Sequence, residues 1–321
     1  MSILVTGGAG FIGSHFIERL HEREADARVI CLDDFNDYYN PALKRANIAG
    51  FASDARVEIV EQSFCDTTGL NRLCTEQRVR RIVHLGAYAG VRASVARPEV
   101  FVETNVGGTL SVLEAARAGR VERLVFVSSS TVYGSGVAVP FTEDGQLGVP
   151  LSPYGVTKRA AELMCLSYHT THALPVVCLR PFSVYGPRIR PDLAMWVFAE
   201  SILAARPIPL LGDGSQRRDF THVSDVCNGI LAALSTDAAV GQCINLGHDE
   251  PVAIRDLVTL LEDALETPAT IDRRPACPED LPVTQADLSK ATRLLGYRPM
   301  VSVADGVRDF ARWFRQVRKP T

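Results

Sequence analysis

A tyrosine and a lysine four residues apart, Tyr154 and Lys158, have the side-chain types and the spacing needed for acid–base chemistry. On a helix this spacing places both side chains on one face, one turn apart. A neighbouring ammonium stabilises the phenolate form of a tyrosine and so lowers its pKa. The pair therefore predicts a general base that works near neutral pH, although the same spacing also occurs by chance on amphipathic surface helices.

A glycine-rich turn near the N-terminus predicts a dinucleotide site. The apolar run 2–6 leads into Gly7, Gly10 and Gly13, and then into a helical pattern. Strand, tight turn and helix form the context in which backbone N–H groups at a helix N-terminus bind a pyrophosphate. The next strand ends at Asp33, 20 residues past Gly13. An acid there accepts hydrogen bonds from the ribose hydroxyls and repels a 2′-phosphate, so the pattern predicts NAD rather than NADP.

The bulk composition is that of an ordinary globular protein. The chain has 321 residues, of which 46% are hydrophobic and 22% charged, and its net charge is −3. It has no basic field that would favour nucleic acid or an anionic membrane as a partner. No apolar run is long enough to span a bilayer, and the first residues enter a strand pattern at once. We therefore expect no signal peptide and a cytoplasmic location.

The cysteines and histidines show no metal-binding pattern. The eight cysteines include no Cys-x-x-Cys pair, and the seven histidines include no pair at metal spacing. Several cysteines lie inside apolar, strand-like runs. We therefore expect reduced core cysteines, and neither a disulfide framework nor a metal site.

Strand and helix patterns alternate as far as Arg180, which predicts an α/β fold with a Rossmann-type, doubly wound parallel sheet. Beyond Arg180 prolines cluster and the elements become short and mixed. Helices are predicted there at 192–204, 224–234, 254–265, 288–294 and 303–317. We expect a dinucleotide-binding domain at 1–180 and a smaller substrate lobe at 181–321 over the carboxyl edge of the sheet, with chain segments that cross between the two.

Several motifs together resemble the extended short-chain dehydrogenase/reductase family, in particular its NAD-dependent nucleotide-sugar epimerases and dehydratases. The resemblance covers nearly the full length and is carried by residues 6–14, Asp33, 84–87, Asn105, 128–134, Tyr154 with Lys158, 179–182 and 218–220. It implies that Tyr154 is the general base, that Lys158 lowers its pKa and holds the nicotinamide ribose, and that Ser129 hydrogen-bonds the reacting hydroxyl. Ser130 is the alternative to Ser129.

The same resemblance implies the contacts of NAD and of a UDP-sugar. The expected cofactor contacts are Gly7, Gly10, Phe11, Ile12, Gly13, Asp33, Asn36, Lys44, Phe64, Leu85, Ala87, Asn105, Tyr154, Lys158 and Pro181. The expected substrate contacts are Ser129, Ser130, Ser183, Arg190, Leu211, Arg218 and Asp280, with Arg273 or Arg274 as an added phosphate contact. Within this set the resemblance assigns Arg218 to the diphosphate, Asp280 to the uridine ribose and Leu211 to the uracil.

Finer motifs are similar to those of UDP-glucuronate 4-epimerases. They are residues 33–39, 43–44, 89–92 and 190–192. In that family the arginine that matches Arg190 lies near the uronate carboxylate, and a planar guanidinium suits a carboxylate. The alternative is that Arg190 is a surface residue in a proline-rich turn.

Ser130 and Thr131 stand where dehydratases of this superfamily have an Asp-Glu pair and where uronate decarboxylases have a Glu in the second position. Because these acidic residues are absent here, the resemblance favours simple epimerisation of UDP-glucuronate to UDP-galacturonate at C4, through a transient 4-keto intermediate. The alternatives are a UDP-glucose/UDP-galactose 4-epimerase, a UDP-glucuronate decarboxylase and a non-enzymatic NAD-binding module. The helices near 98–118 and 154–169 resemble those that form a dimer interface in this family, so we expect a homodimer.

Overall fold

Seven parallel strands form the central sheet of the computed structural model, which describes residues 2–276 and 281–318. The strands of the chain are β1 (Ser2–Thr6), β2 (Arg28–Asp33), β3 (Val57–Glu61), β4 (Val79–His84), β5 (Arg123–Val127), β6 (Val176–Pro181), β7 (Ser183–Tyr185), β8 (Ile208–Leu211), β9 (Arg217–Arg218), β10 (Phe220–His222), β11 (Cys243–Leu246), β12 (Val252–Ala253) and β13 (Ile271–Arg274). The order in the central sheet is β11-β6-β5-β4-β1-β2-β3, and each neighbouring pair is parallel.

Helices connect these strands and cover both faces of the sheet. They are α1 (Phe11–Arg23), α2 (Pro41–Ile48), α3 (Thr67–Glu76), α4 (Val91–Ala96), α5 (Pro98–Phe101), α6 (Gly108–Ala118), α7 (Pro153–His172), α8 (Ala194–Leu203), α9 (Val223–Ser235), α10 (Ile254–Leu265), α11 (Ser289–Leu295) and α12 (Val303–Val317). A π-helical turn, Val102–Gly107, joins α5 to α6, so the long helix predicted at 98–118 changes its hydrogen-bond pattern midway. Among the described residues, no helix has the length and apolarity needed to cross a bilayer.

The alternation of side chains along each strand explains the two covered faces. Val5 belongs to one core cluster with Phe16 of α1 and Ile230 of α9. Its neighbour Leu4 belongs to a second cluster with Leu113 of α6 on the opposite face. All five side chains are fully buried. The predicted doubly wound parallel sheet is therefore confirmed.

The chain after residue 181 builds small paired strands and also contributes to the main sheet. β7 pairs with β10, β8 with β13 and β9 with β12, outside the central sheet. Strand β11 instead extends the central sheet beside β6, and α9 packs against α1. The helices α10 and α12 have the predicted bounds, and α8, α9 and α11 begin or end within two residues of theirs. A division into two domains near residue 180 stays a prediction.

The loops that follow four strands of the central sheet begin at the same edge of the sheet. The strands β1, β2, β4 and β5 end at Thr6, Asp33, His84 and Val127. Because parallel strands have their carboxyl ends at the same edge, the segments that follow these four residues lie side by side. These segments carry most of the residues singled out from the sequence.

Candidate active site

A cavity of about 890 Å³ lies along this carboxyl edge, and its volume is in the range that holds a small ligand or cofactor. Nearly all of the predicted site residues line it: Gly7, Gly10, Phe11, Ile12, Gly13, Asp33, Asn36, Lys44, Phe64, Leu85, Ala87, Ser129, Ser130, Tyr154, Lys158, Pro181, Ser183, Arg190, Leu211 and Arg218. Asn105 and Asp280 are not among these lining residues. Asn105 lies behind the wall, and Asp280 falls outside the described residues.

The glycine turn between β1 and α1 is closed so tightly that side chains are excluded. Gly7 has a φ of +68°, and a Cβ atom there would lie 2.8 Å from the backbone nitrogen of Gly86. A Cβ at Gly13 would lie 2.3 Å from the carbonyl oxygen of Gly7. No side chain caps the N-terminus of α1, which begins at Phe11 and faces the cavity. Free backbone N–H groups and the helix dipole there suit a phosphate.

Asp33 is fixed beside this turn. Its buried carboxylate accepts hydrogen bonds from the backbone nitrogens of Ala9 at 3.3 Å and Phe35 at 3.0 Å. Lys44 forms an ion pair with it at 3.1 Å and also donates to Asn36 at 3.3 Å. The acid thus holds the loop after β2 against the glycine turn, at the place where an adenosine ribose is expected.

Asn105 connects two walls of the site from behind. Its side-chain oxygen accepts from the backbone nitrogen of Tyr88 at 2.8 Å, and its amide nitrogen donates to the Tyr88 carbonyl at 2.9 Å. The amide also donates to the Thr157 hydroxyl at 3.1 Å, which in turn donates to the Tyr154 carbonyl at 2.9 Å. These hydrogen bonds use the amide of Asn105 to hold the loop after β4 against α7.

Tyr154 lies in the first turn of α7, where local sequence fixes the helix start. Pro153 occupies the first turn, and the Ser152 hydroxyl accepts from the backbone nitrogen of Gly155 at 3.2 Å. Burial raises the pKa of Tyr154, while the charge of Arg190 and a hydrogen bond from Ser129 lower it. Because burial is the largest of these effects, the pKa lies above the ordinary value for a tyrosine.

The Ser129 hydroxyl is oriented by its neighbour Thr131. The Ser129 oxygen accepts from the backbone nitrogen of Thr131 at 3.2 Å and from its hydroxyl at 3.0 Å. With both bonds received, the proton of Ser129 is left to donate to the oxygen of Tyr154 or to a ligand hydroxyl. This arrangement supports Ser129, rather than Ser130, as the partner of Tyr154.

Lys158 is buried one turn further along α7. Its ammonium donates to the Val127 carbonyl at 2.7 Å and lies 4.8 Å from the centre of the Phe126 ring. Burial lowers the pKa of Lys158 to about 8, against the opposing charge of Glu162. The cation that lowers the pKa of Tyr154 in this structure is Arg190. The predicted effect of Lys158 on Tyr154 therefore stays a prediction.

Arg190 lies in the cavity wall, with 19% of its side chain exposed. Its Nε and Nη2 atoms donate to Asp192 at 2.9 Å and 2.8 Å, and its guanidinium lies 5.9 Å from the centre of the Tyr38 ring. It lines the same cavity as Tyr154, and its charge lowers the pKa of Tyr154. Its position in the cavity wall favours a role in the site over the alternative of a surface arginine, and its contact with a substrate carboxylate stays a prediction.

Other cationic residues of the C-terminal half divide into two groups. Arg218 lines the cavity and donates to the Leu281 carbonyl at 2.7 Å. Arg273 and Arg274 lie on β13 and do not line it. Arg274 donates instead to Asp272 at 3.0 Å. Among the cations predicted to contact the diphosphate, Arg218 alone lines the cavity.

The side chains that line the cavity without a role assigned from the sequence include Tyr38, Tyr88 and Asp192. Tyr38 and Tyr88 follow β2 and β4 within a few residues, so their place at the carboxyl edge could have been inferred from the strand ends. Asp192 lies two residues after Arg190, a spacing that allows an ion pair within one turn of chain. No group of three His, Cys, Asp or Glu side chains within 2–276 and 281–318 could hold a metal ion.

A parallel sheet with a glycine turn after its first strand, an acid at the end of the second, and Ser129, Tyr154 and Lys158 in one cavity defines a class: dinucleotide-dependent enzymes of the short-chain dehydrogenase/reductase type. Comparison with known proteins agrees. The chain belongs to the NAD dependent epimerase/dehydratase family, whose model matches residues 3–247.

Several similar proteins are named for the same reaction. UDP-glucuronate 4-epimerase 3 of Arabidopsis thaliana is 38% identical over 98% of this chain and 76% of its own length. UDP-glucuronate 4-epimerase of Thermodesulfobacterium geofontis is 35% identical over 98% of this chain and 96% of its own. The crystal structure of UDP-glucuronic acid 4-epimerase from Bacillus cereus, in complex with UDP-glucuronic acid and NAD, superposes with a TM-score of 0.93. It is 37% identical and covers 99% of this chain and 100% of its own.

Proposed function

We propose that this protein is an NAD-dependent UDP-sugar 4-epimerase that interconverts UDP-glucuronate and UDP-galacturonate. The observation that carries the proposal is the cavity itself, which Arg190 and Tyr154 line together with the glycine turn and in which the charge of Arg190 lowers the pKa of Tyr154. A carboxylate-binding cation next to a proton-transferring phenol suits a uronate whose reacting hydroxyl is at C4. Relatives of 35–38% identity named for this reaction support the same conclusion.

The residues present fit NAD. The turn at Gly7 and Gly13 leaves no room for a Cβ and presents the N-terminus of α1 to a pyrophosphate. Asp33, held by Lys44, would accept the adenosine ribose hydroxyls, and Lys158 would hold the nicotinamide ribose. Bound NAD would supply a reversible hydride acceptor for C4 of the sugar, so the net redox change of the epimerisation would be zero.

Three side chains take part in the transfer of the proton of the C4 hydroxyl. Tyr154 accepts this proton as the C4 hydroxyl becomes a ketone, and it returns the proton when the ketone is reduced. Ser129 donates a hydrogen bond to the sugar oxygen, because Thr131 already occupies the lone pairs of its hydroxyl. The charge of Arg190 opposes the effect of burial and favours the phenolate. A positioned base of this kind contributes roughly 10²–10⁴-fold to the rate.

The 4-keto uronate formed in this way is a β-keto acid, which loses CO₂ easily unless its carboxylate is held in the plane of the ring. Arg190 and Ser183 both line the cavity and would hold this carboxylate. Ser130 and Thr131 supply no acid for the elimination of water or for decarboxylation. The site therefore supports epimerisation, in which the sugar turns between two hydride transfers and its carbon skeleton stays intact.

The nucleotide half of the substrate is assigned to the C-terminal half of the chain. Arg218 would bind the diphosphate, and Leu211 would lie against the uracil, since both line the cavity. Asp280 keeps its proposed contact with the uridine ribose as a prediction. A firm hold on the nucleotide leaves the sugar free to turn.

The test is an incubation of the purified protein with UDP-glucuronate, with nucleotide sugars separated by chromatography. We expect UDP-galacturonate and no UDP-pentose. Release of CO₂ with a UDP-pentose would instead indicate decarboxylation. A strong preference for UDP-glucose over UDP-glucuronate would defeat the uronate assignment, and tight NAD binding without sugar turnover would indicate a non-enzymatic module.

We also propose that the protein is a cytoplasmic homodimer. Apolar side chains stand exposed on α4, on the π-helical turn, on α6 and on α7: Val91, Val95, Val102, Leu110, Val156 and Leu163. Their exposed fractions range from 42% to 65%, and exposed apolar groups clustered on neighbouring helices are typical of an interface. Sedimentation as a dimer would support the proposal, and a monomer at micromolar concentration would contradict it.

A further inference from the structure

We propose that Asp192 is a specificity-determining positioning residue, whose carboxylate competes with the carboxylate of a uronate substrate for the guanidinium of Arg190. By sharing Arg190, Asp192 weakens the hold on the sugar and lets it turn between the two hydride transfers. This inference rests on the proposed function. It identifies Asp192 as the residue that adjusts how strongly Arg190 holds the uronate.

The geometry of the pair shows what remains for a substrate. Asp192 receives both donors of one edge of Arg190, Nε to Oδ1 at 2.9 Å and Nη2 to Oδ2 at 2.8 Å. Within the described part of the chain, no hydrogen bond is formed by Nη1. A guanidinium has five N–H donors in a planar fork, so its second edge can receive another carboxylate in the same plane. Asp192 and a substrate carboxylate would then bind neighbouring edges of one cation.

The surroundings keep the guanidinium from turning away. The ring of Tyr38 lies against it at 5.9 Å, and the Tyr38 hydroxyl donates to the Ala89 carbonyl. At Gly90, where φ is +125°, a Cβ would lie 2.7 Å from the Tyr38 hydroxyl and 3.6 Å from Asp192 Oδ2. The segment around Gly90 thus closes over the pair. These contacts restrict the guanidinium of Arg190. A substrate carboxylate would therefore share Arg190 with Asp192 and would not displace it.

The charge balance gives this sharing a consequence. Arg190 with Asp192 forms a neutral pair, so a substrate carboxylate meets a cation whose charge is already partly compensated. Attraction to the uronate is then weaker than to an unpaired arginine. A neutral hexose makes no such contact with the guanidinium. Removal of the Asp192 charge should therefore affect a uronate and leave a neutral hexose nearly unchanged.

The experiment uses full-length protein with NAD and compares wild type with Asp192→Asn, which keeps the size of the side chain and removes its charge. For UDP-glucuronate we expect KM to fall roughly two- to fivefold, the range of a partly exposed ion pair, and kcat to fall by a similar factor. For UDP-glucose, KM should change less than twofold. Affinities measured by calorimetry in a Tyr154→Phe background, with and without Asp192→Asn, separate binding from turnover.

The pH dependence supplies a readout that a purely structural role would not move. The charged and titratable groups that interact with Tyr154 are Tyr38 after β2 and Arg190 and Asp192 after β7, and Lys158 on α7 and Tyr88 after β4 line the same cavity. Asp192 raises the pKa of Tyr154, whereas Arg190 lowers it. In Asp192→Asn the acid limb of the kcat/KM profile should therefore move to lower pH.

A matched control lies in the same loop. Arg188 pairs with Glu18 at 3.0 Å and 2.7 Å, and neither residue lines the cavity. Glu18→Gln should leave the discrimination between the two sugars and the pH profile unchanged. Asp192→Ser serves as a second variant if Asp192→Asn fails to fold.

Three results would overturn the inference. A KM for UDP-glucuronate that rises while kcat is kept would show that Asp192 only supports Arg190. Equal changes for both sugars, or none, would remove Asp192 from specificity. A wild type that converts no UDP-glucuronate would refute the proposed function itself, and that result is visible before any variant is made.

Discussion

The buried ion pair between Glu162 and Arg180 offers the most quantitative test of how the site is held together. Arg180 at the end of β6 donates from Nε and Nη2 to the two oxygens of Glu162 on α7, at 3.0 Å and 2.9 Å. Only 4% and 3% of the two side chains are exposed. Replacement of Glu162 by Gln leaves an uncompensated guanidinium in the core, which costs about 3–5 kcal/mol of the free energy of unfolding.

Urea unfolding followed by tryptophan fluorescence measures this loss. The matched control is the exposed pair of Arg45 and Glu61, whose side chains are 56% and 57% exposed. Glu61→Gln should cost less than about 1 kcal/mol. If Glu162→Gln destabilises the protein no more than Glu61→Gln, the buried pair does not have the energetic role assigned to it. Replacement of both buried partners by Met should recover part of the loss, because no unpaired charge then remains.

Further predictions concern the base, the glycine turn and a buried histidine. Tyr154→Phe should keep NAD binding and lose roughly 10²–10⁴-fold in kcat; retained turnover would remove Tyr154 from its role. Gly13→Ala should abolish NAD binding measured by fluorescence, because its Cβ would lie 2.3 Å from the Gly7 carbonyl oxygen; normal affinity would contradict the tight turn. His84 is buried, its side chain contacts the Thr6 hydroxyl at 2.7 Å, and burial lowers its pKa to about 3 from 6.5. Between these pH values the unfolded chain binds a proton that the folded protein does not, so stability should fall as pH decreases through that window and should fall less in His84→Gln. Equal pH dependence of thermal unfolding in both proteins would contradict this assignment.

Local patterns were enough to predict the sheet and most of the cavity. The glycine turn follows β1 and Asp33 ends β2, so strand ends alone place both at one edge. The Tyr–Lys pair is recognised instead by its helical spacing. The bounds of α10 and α12 follow from helical periodicity in the same way.

The remaining features depend on contacts between distant segments. Asn105 stays a predicted cofactor contact, and the sequence did not indicate that its amide joins Tyr88 to Thr157. The effect of Lys158 on Tyr154 also stays a prediction, and spacing did not indicate that Arg190, 36 residues after Tyr154, lowers the pKa of Tyr154. Such pairings are set by tertiary packing and leave no periodic signal in the chain.

The most direct test of the central claim is nuclear magnetic resonance of the reaction in D₂O. If the hydrogen taken from C4 is held in the site and returned, UDP-glucuronate will be converted to UDP-galacturonate with protium retained at C4 and no deuterium incorporated elsewhere in the ring. Deuterium at C4 or C5 of the product, or a ring without its carboxylate, would contradict the account.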